Sequence, residues 1–148
     1  MLAIRKATLS DLTELSHLFD CYRVFYVFPT DKGAASHFLK ERIEHRESEI
    51  FVSVSESSTL NGFIQLYPLF SSTRMKRLWL LNDLFVLPEF RGLEISKALI
   101  ERAKELCRAT SAAGLILETA KDNVIGNQLY PAAGFHLDSD HNYYHWDP

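Results

Sequence analysis

Residues 78–92 read Leu-Trp-Leu-Leu-Asn-Asp-Leu-Phe-Val-Leu-Pro-Glu-Phe-Arg-Gly, and no other stretch restricts the fold as much. Its first part, Leu78 to Val86, is a strand-like apolar run broken only by Asn82 and Asp83. Pro88 removes a backbone donor and stops the strand. From Arg91 to about Ala109 the apolar residues Ile95, Leu99, Ile100, Ala103 and Leu106 recur with helical period. A strand that passes through a tight turn into an amphipathic helix requires an α/β arrangement. It also leaves several backbone N–H groups unpaired at the positive end of the helix dipole, an anion site suited to a pyrophosphate. Arg91 adds a fixed positive charge there, and Gly92 permits close backbone approach. An ordinary strand–turn–helix with Gly92 as a turn residue accounts for the same residues about equally well.

The flanking sequence predicts the other elements. Residues 2–7 read as a short strand. Ser10, followed by Asp11 and Glu14 and by Leu12, Leu15, Leu18 and Phe19 at helical spacing, reads as a helix start. A second helix is expected from about Asp31 to His45. Ile50 to Val54 and Phe63 to Tyr67 are strand-like, joined by a polar turn from Ser55 that ends in Asn61-Gly62. After the central helix, Leu115 to Thr119 suits a buried parallel strand. Val124 to Ala133 fits a helix closed by Gly134, and the aromatic stretch Phe135 to Trp146 reads as a final hairpin. The expected order is β-α-α-β-β-β-α-β-α-β-β: one mixed sheet flanked by helices, in a single domain over residues 1–148.

Composition narrows the function classes. At 47% hydrophobic and 12% aromatic residues the 148-residue chain can bury a sizeable core. Sixteen basic against nineteen acidic residues give a net charge of −3, which argues against a dedicated nucleic-acid binder. Two cysteines are too few for a disulfide framework and point to a reducing compartment. No segment has signal-peptide or bilayer-spanning character, so a cytoplasmic location with no membrane partner is expected. The six histidines include His136, His141 and His145, but no Asp/Cys set stands at metal-ligand spacing, and no metal is expected.

A second informative cluster lies downstream: Asn123, then Leu129-Tyr130, then Gly134-Phe135. A tyrosine near the end of a short helix beside a parallel strand can give a proton to a leaving group; a core aromatic with a single hydroxyl partner is the commoner case. In order and spacing, LNDLFVLPEFRGLEISKALIERAKEL followed by ETAKDNVIGNQLYPAAGF resembles the GNAT superfamily of acetyl-CoA-dependent N-acetyltransferases. Val86, Pro88, Arg91, Gly92, Asn123, Tyr130, Gly134 and Phe135 stand at positions of that family's pattern. The resemblance extends over essentially the whole chain. It implies a GNAT-like, mostly antiparallel mixed sheet in which two parallel neighbouring strands splay apart to form a coenzyme cleft. It also implies acetyl-CoA as co-substrate and direct attack by an amine, with no covalent enzyme intermediate.

The resemblance assigns residues as well. Phe85, Val86 and Leu87 are expected to meet the pantetheine arm. Amides of Arg91, Gly92, Leu93, Glu94, Ile95, Ser96 and Lys97 are expected to hold the pyrophosphate. Asn123 and Tyr130 are expected near the thioester, with Tyr130 protonating the departing thiolate. One departure stands out: Glu94 occupies a family glycine position and brings bulk and negative charge towards an anion, while Ser96 replaces the next small residue. Either Glu94 turns outward to solvent or coenzyme binding weakens; the outward turn is the expectation.

Some relatives carry a glutamate as general base on the strand before the loop, where this chain has Asn82, which cannot act as one. Asp83 follows it, although strand alternation points it to the opposite face; Glu118 and a water chain are the other candidates. A structural carboxylate is the commoner role for Asp83 and Glu118. For the acceptor, Tyr22 and Tyr26, with Arg23 and Phe25 between them, and Gln65 and Tyr67 on one strand face are the candidate wall. A carboxylate lining favours a cationic amine and Arg23 favours an amino acid's carboxylate; the sequence leaves both open. The reading is an N-acetyltransferase acting on a primary amine of a small molecule or protein, with a homodimer as a compatible assembly. The alternative is an acyl-CoA-binding regulatory domain with little or no turnover.

Overall fold

The computed structural model describes residues 2–148. The chain divides into two compact units, Met1–Leu117 and Glu118–Pro148.

The first unit is a five-stranded sheet: β1 (Ala3–Lys6), β2 (Glu49–Val54), β3 (Leu60–Ser71), β4 (Lys76–Val86) and β5 (Leu115–Ile116), in that spatial order. β1 to β4 pair antiparallel; β4 and β5 are parallel. Helices α1 (Leu12–Phe25) and α2 (Lys32–Glu44) cover one face. Leu15, Leu18, Phe19, Ala35 and Leu39 pack there with Ile50, Val52, Phe63 and Phe85 of the sheet. The opposite face carries α3 (Ile95–Ala109), which buries Ile95, Leu99, Ile100 and Ala103. The parallel pair joins only at Trp79↔Leu115 and Leu80↔Ile116. Beyond those positions β4 continues to Val86 with that edge unpaired among the described residues, which leaves the sheet open where the cleft is expected.

Five boundaries differ from the sequence reading. The buried strand expected over Leu115–Thr119 is cut to Leu115–Ile116, half-buried and then exposed, because only Trp79 and Leu80 of β4 pair with it. The β2–β3 turn closes earlier: the Ser55 N–H donates to the Thr59 carbonyl at 2.8 Å, and Asn61 and Gly62 lie buried inside β3. Gly62 is needed there because a Cβ would sit 3.1 Å from the Phe85 carbonyl oxygen and 3.3 Å from Ile95. At the first helix Thr8, not Ser10, takes the capping position, its backbone N–H donating to the Asp11 carboxylate at 2.8 Å. Arg5 then clamps that carboxylate with two hydrogen bonds of 2.7 and 2.8 Å. α3 starts at Ile95 rather than Arg91, because Pro88–Phe90 form a 3-10 turn and Gly92 and Glu94 take left-handed conformations, φ +79° and +64°.

The fifth difference is the C-terminal hairpin. In the second unit α4 (Val124–Ala132) forms as expected, with Gly134 at φ +93°. Residues 135–148 form no strand. Asp138 gathers the expected turn, accepting the Asp140 N–H at 3.0 Å and contacting His141 Nδ1 at 2.8 Å. The two arms beside it form no ladder among the described residues. Among the described residues no helix is long and apolar enough to cross a membrane.

Candidate functional site

The turn into α3 is built to leave donors free. Left-handed Gly92 and Glu94 curl the chain so that the N–H groups from Gly92 to Lys97 have no hydrogen-bond acceptor among the described residues. They stand at the positive end of a fifteen-residue helix, the arrangement that binds phosphate oxygens. Glu94 does not obstruct this loop. Its side chain is 67% exposed and reaches Lys97 Nζ at 2.7 Å, so the carboxylate is turned onto the helix surface and partly neutralised.

Arg91 is braced differently from a free phosphate ligand. Its Nε donates to the Val86 carbonyl at 3.0 Å, and its guanidinium lies 5.4 Å from the Phe25 ring centre and 5.6 Å from that of Phe85. It ties the end of β4 to α1 while keeping a positive charge at the mouth of the loop. Phe85 and Val86 are buried at the strand end, Leu87 caps the 3-10 turn, and Leu93 is 61% exposed on the loop. Ile95 pins the helix start in the core, and Ser96 and Lys97 complete the first turn.

One side chain on β4 is placed by an irregularity. The β3–β4 register runs Gln65↔Asp83 and then Leu66↔Leu81, so Asn82 is an extra, bulged residue. The bulge reverses the alternation, so that Leu81 and Asp83 point to opposite faces although two residues apart. Asp83 therefore turns in on the α1 side, 4% exposed. Gln65 Nε2 donates to its Oδ2 at 2.6 Å and Asn82 Nδ2 to its Oδ1 at 3.1 Å. The buried Gln65 amide is held from its other end by the Ser48 hydroxyl at 2.8 Å. Burial pushes the Asp83 carboxyl above its usual range, against the opposing pull of hydrogen bonds from Gln65, Tyr22 and Asn82.

The aromatic wall converges on the same place. The Tyr22 hydroxyl donates to the Asn82 carbonyl at 3.4 Å, and its ring packs edge-on against Tyr26, Phe63 and Phe85. The Tyr67 hydroxyl is pushed up to about 12 by burial and then by the Asp83 charge. Thus Tyr22, Tyr26, Gln65, Tyr67 and Asp83, chosen separately from the sequence, form one cluster. Arg23 is engaged elsewhere, donating to the Pro29 carbonyl at 3.3 Å and lying over Phe28. Phe25, expected in the acceptor wall, lies instead over the Arg91 guanidinium; Ser48, which orients Gln65, is a residue that local spacing does not mark. The Asn82–Asp83 pair inside an apolar strand was the visible trace of the bulge.

In the second unit, Asn123 caps α4: its Oδ1 accepts the Gly126 N–H at 3.1 Å, and its Nδ2 donates to Thr119 Oγ1 at 2.9 Å. Tyr130 is half-buried and packs edge-on against Phe135, with ring centres 5.8 Å apart. Glu118 is exposed.

Comparison with known proteins places these features in a family. The model of the acetyltransferase (GNAT) family matches residues 12–135. The chain is 39% identical over 141 residues to an uncharacterised N-acetyltransferase, YhfO, of Bacillus subtilis (strain 168), covering 95% of this chain and 94% of that one. It is 33% identical over 132 residues to a probable acetyltransferase of Haemophilus influenzae, covering 89% and 88%. A crystal structure of a probable acetyltransferase superposes with a TM-score of 0.94 at 35% identity, over 99% of this chain and 97% of the other. The chain belongs to the GNAT acetyltransferase family.

Proposed function

We propose that this member of the GNAT family transfers an acetyl group from acetyl-CoA to the primary amine of a cationic small molecule or protein side chain. The observation that carries the reading is the run of acceptor-free N–H groups from Gly92 to Lys97 at the start of α3, on the same strand–turn–helix whose strand buries Asp83. The residues present fit the coenzyme: the left-handed loop aims donors rather than side chains at the anion, a Cβ built on Gly92 would meet nothing within 4 Å, and Glu94 is drawn off by Lys97. Bound acetyl-CoA supplies the acetyl group as an activated thioester.

The residues of this chain supply orientation and proton management. The open edge of β4 to Val86 offers backbone groups to an extended arm. Asp83, ionised, takes the proton of the incoming ammonium directly or through water, and its elevated pKa brings it closer to the task than an ordinary aspartate. Its charge among Tyr22, Tyr26 and Tyr67 favours a cationic acceptor over an amino acid's carboxylate, since Arg23 is committed to Pro29 and Phe28. Tyr130 is assigned the proton given to the leaving thiolate, with Asn123 fixing the start of its helix.

Calorimetry with acetyl-CoA, combined with thiol release across a panel of amines, tests the reading. Binding with turnover on polyamines or lysine-like amines is the expected result. Tyr130→Phe is expected to lower kcat by about 10²–10⁴-fold with binding retained; an unchanged kcat removes Tyr130 from the mechanism. No binding of acetyl-CoA overturns the proposal, and binding without turnover on any amine transfers it to a regulatory acyl-CoA-binding role.

A further inference from the structure

The first unit holds a cavity of about 280 Å³ that the proposed reaction does not use. It opens where the α2–β2 connection, the late part of β3, the start of β4 and the residue ending α3 meet. Pro68 and the buried Trp79 supply its apolar part. The Trp79 indole N–H is already spent on Thr110 Oγ1 at 2.9 Å, and the Thr110 hydroxyl on the Leu106 carbonyl at 2.8 Å. Ser48, also on the lining, gives its hydroxyl proton to Gln65.

The side-chain donors left over belong to two arginines. Arg77 is half-buried, with its guanidinium over the rings of Phe70 and Trp79, 4.8 and 5.2 Å from their centres. Stacking fixes the guanidinium plane and leaves its N–H edge available. Arg46 lines the cavity from the turn after α2, at φ +52°, a position where glycine or asparagine is usual. Neither guanidinium has a hydrogen-bond or ion-pair partner among the described residues. The carboxylates beside them are taken: Glu49, on the lining, by Lys6 at 2.8 Å, and Glu47 by Arg42 at 3.1 Å. The adverse end of the α3 dipole is blunted, because the carbonyls of Leu106, Cys107 and Arg108 accept the N–H groups of Thr110, Ala112 and Ser111. Two uncompensated guanidinium groups on one small cavity attract an oxyanion, and each can grip a carboxylate or phosphate with paired donors.

We infer that this cavity is a second ligand site, which takes a small molecule by its carboxylate or phosphate group and lays the remainder against Pro68 and Trp79. The volume lies near the lower end for small-molecule pockets, about 300 Å³, so the ligand is a compact metabolite-sized anion. The site is distinct from the coenzyme loop. Arg77 stands at the start of β4 and the loop follows its end, so roughly 30 Å of extended strand separates them. It is distinct from the acceptor cluster too, since Asp83 faces α1 whereas Trp79 bonds to the residue that ends α3.

Trp79 makes the site readable in the full chain. Trp146→Phe leaves Trp79 as the only tryptophan, and its fluorescence is followed while inorganic phosphate or, separately, propionate is added against chloride at matched ionic strength. A saturable change with a Kd of about 10 mM or tighter is expected for at least one probe. Response to phosphate alone assigns a phosphate ligand, response to propionate alone a carboxylate, and response to both a site that reads charge. Arg46→Gln and, separately, Arg77→Gln should each weaken binding by at least about tenfold, with far-UV dichroism unchanged. Arg46 is exposed in a turn, so its variant keeps the test decisive if loss of the Arg77 stacking unfolds the protein. No saturable change beyond that of chloride overturns the inference, as does a change that survives Arg46→Gln undiminished; phosphate held at the coenzyme loop depends on neither arginine. These readouts do not use acetyl transfer, so failure here leaves the proposed activity standing.

Discussion

Glu94 gives the sharpest test of the loop, because replacing it separates backbone strain from charge. At φ +64° it holds a conformation that costs an L-residue about 1–2 kcal/mol. Glycine enters it freely, but the extra freedom of a glycine in the unfolded chain offsets roughly 0.5–1 kcal/mol of the gain. The Lys97 partner, 57% exposed against 67% for Glu94, contributes at most about 0.5 kcal/mol. Glu94→Gly is therefore expected to change stability by about 0 to +1 kcal/mol, which for a chain of this size raises Tm by no more than roughly 2–4 °C. Glu94→Gln keeps the strain and loses only the ion pair, so its Tm stays level or falls slightly.

Binding responds to charge alone. A carboxylate a few ångströms from a diphosphate in water-like surroundings costs on the order of 1 kcal/mol, reduced here by Lys97. Both variants should then tighten acetyl-CoA by roughly two- to fivefold at low ionic strength and by almost nothing near ~1 M salt, where the Debye length shrinks to about 3 Å. Calorimetry at the two salt concentrations and differential scanning fluorimetry read the two effects independently. Weakening of more than about threefold in Glu94→Gln would refute the reasoning, since it would show that the carboxylate organises the site through Lys97. An equal rise of Tm in both variants would refute the strain argument.

Asp83→Asn is expected to lower kcat by about 10²–10⁴-fold. It should also abolish the rise of kcat/KM with pH through the wild-type Asp83 titration, seen in pH–rate profiles. Because burial lifts this carboxyl above its usual 3.8, the folded state binds the proton more tightly than the unfolded one. Stability should therefore fall as pH rises from about that value through the folded pKa, and Asp83→Asn should flatten this in denaturant titrations. Gly126→Ala places a Cβ 2.6 Å from Asn123 Nδ2. It should displace the α4 cap at a cost of at least about 1 kcal/mol, visible as faster amide exchange in α4; unchanged exchange would refute the cap. Asp20 accepts from the Thr30 hydroxyl at 2.6 Å and the Asp31 N–H at 2.7 Å, which hold its pKa down. Its stabilisation is present above the ordinary aspartate pKa and lost as pH falls through the folded value. Asp20→Ala should cost roughly 2–3 kcal/mol near neutral pH and shrink the acid-induced loss in urea melts; equal losses at both pH values would refute the assignment.

The legible parts of the fold are those where periodicity and a physical stop coincide. Pro88 ended β4, and the spacing of Ile95, Leu99, Ile100 and Ala103 revealed α3, because burial against one sheet face fixes both patterns. Asn61-Gly62 misled because Gly62 is required by contact with Phe85 and Ile95 across the sheet, a tertiary reason that local turn chemistry mimics. Phe135–Trp146 misled in the opposite sense: its composition is that of a strand, yet its residues form none. In the site, residue types were legible and their convergence was not. Gln65 and Asp83 are eighteen positions apart, and their 2.6 Å contact depends on a bulge that simple alternation does not anticipate.

That bulge couples the two halves of the proposed chemistry. With strict alternation Asp83 would share the Leu81 face, beneath α3, where Ile95, Leu99 and Ile100 offer no donor. One inserted residue, Asn82, turns the carboxyl towards Gln65 and Tyr22 without shifting Phe85 and Val86, whose pairing with Phe63 and Gly62 keeps the strand end and the loop after it in place. The hydrogen bonds also distinguish the two oxygens. Oδ2 is fixed by the short bond from Gln65, an amide whose orientation Ser48 enforces. Oδ1 has the longer 3.1 Å bond from exposed Asn82. The Tyr22 hydroxyl also hydrogen-bonds the carboxyl, so three neighbours hold Asp83 in place. The bulged Asn82 thus places a buried carboxylate beside Gln65 and Tyr22.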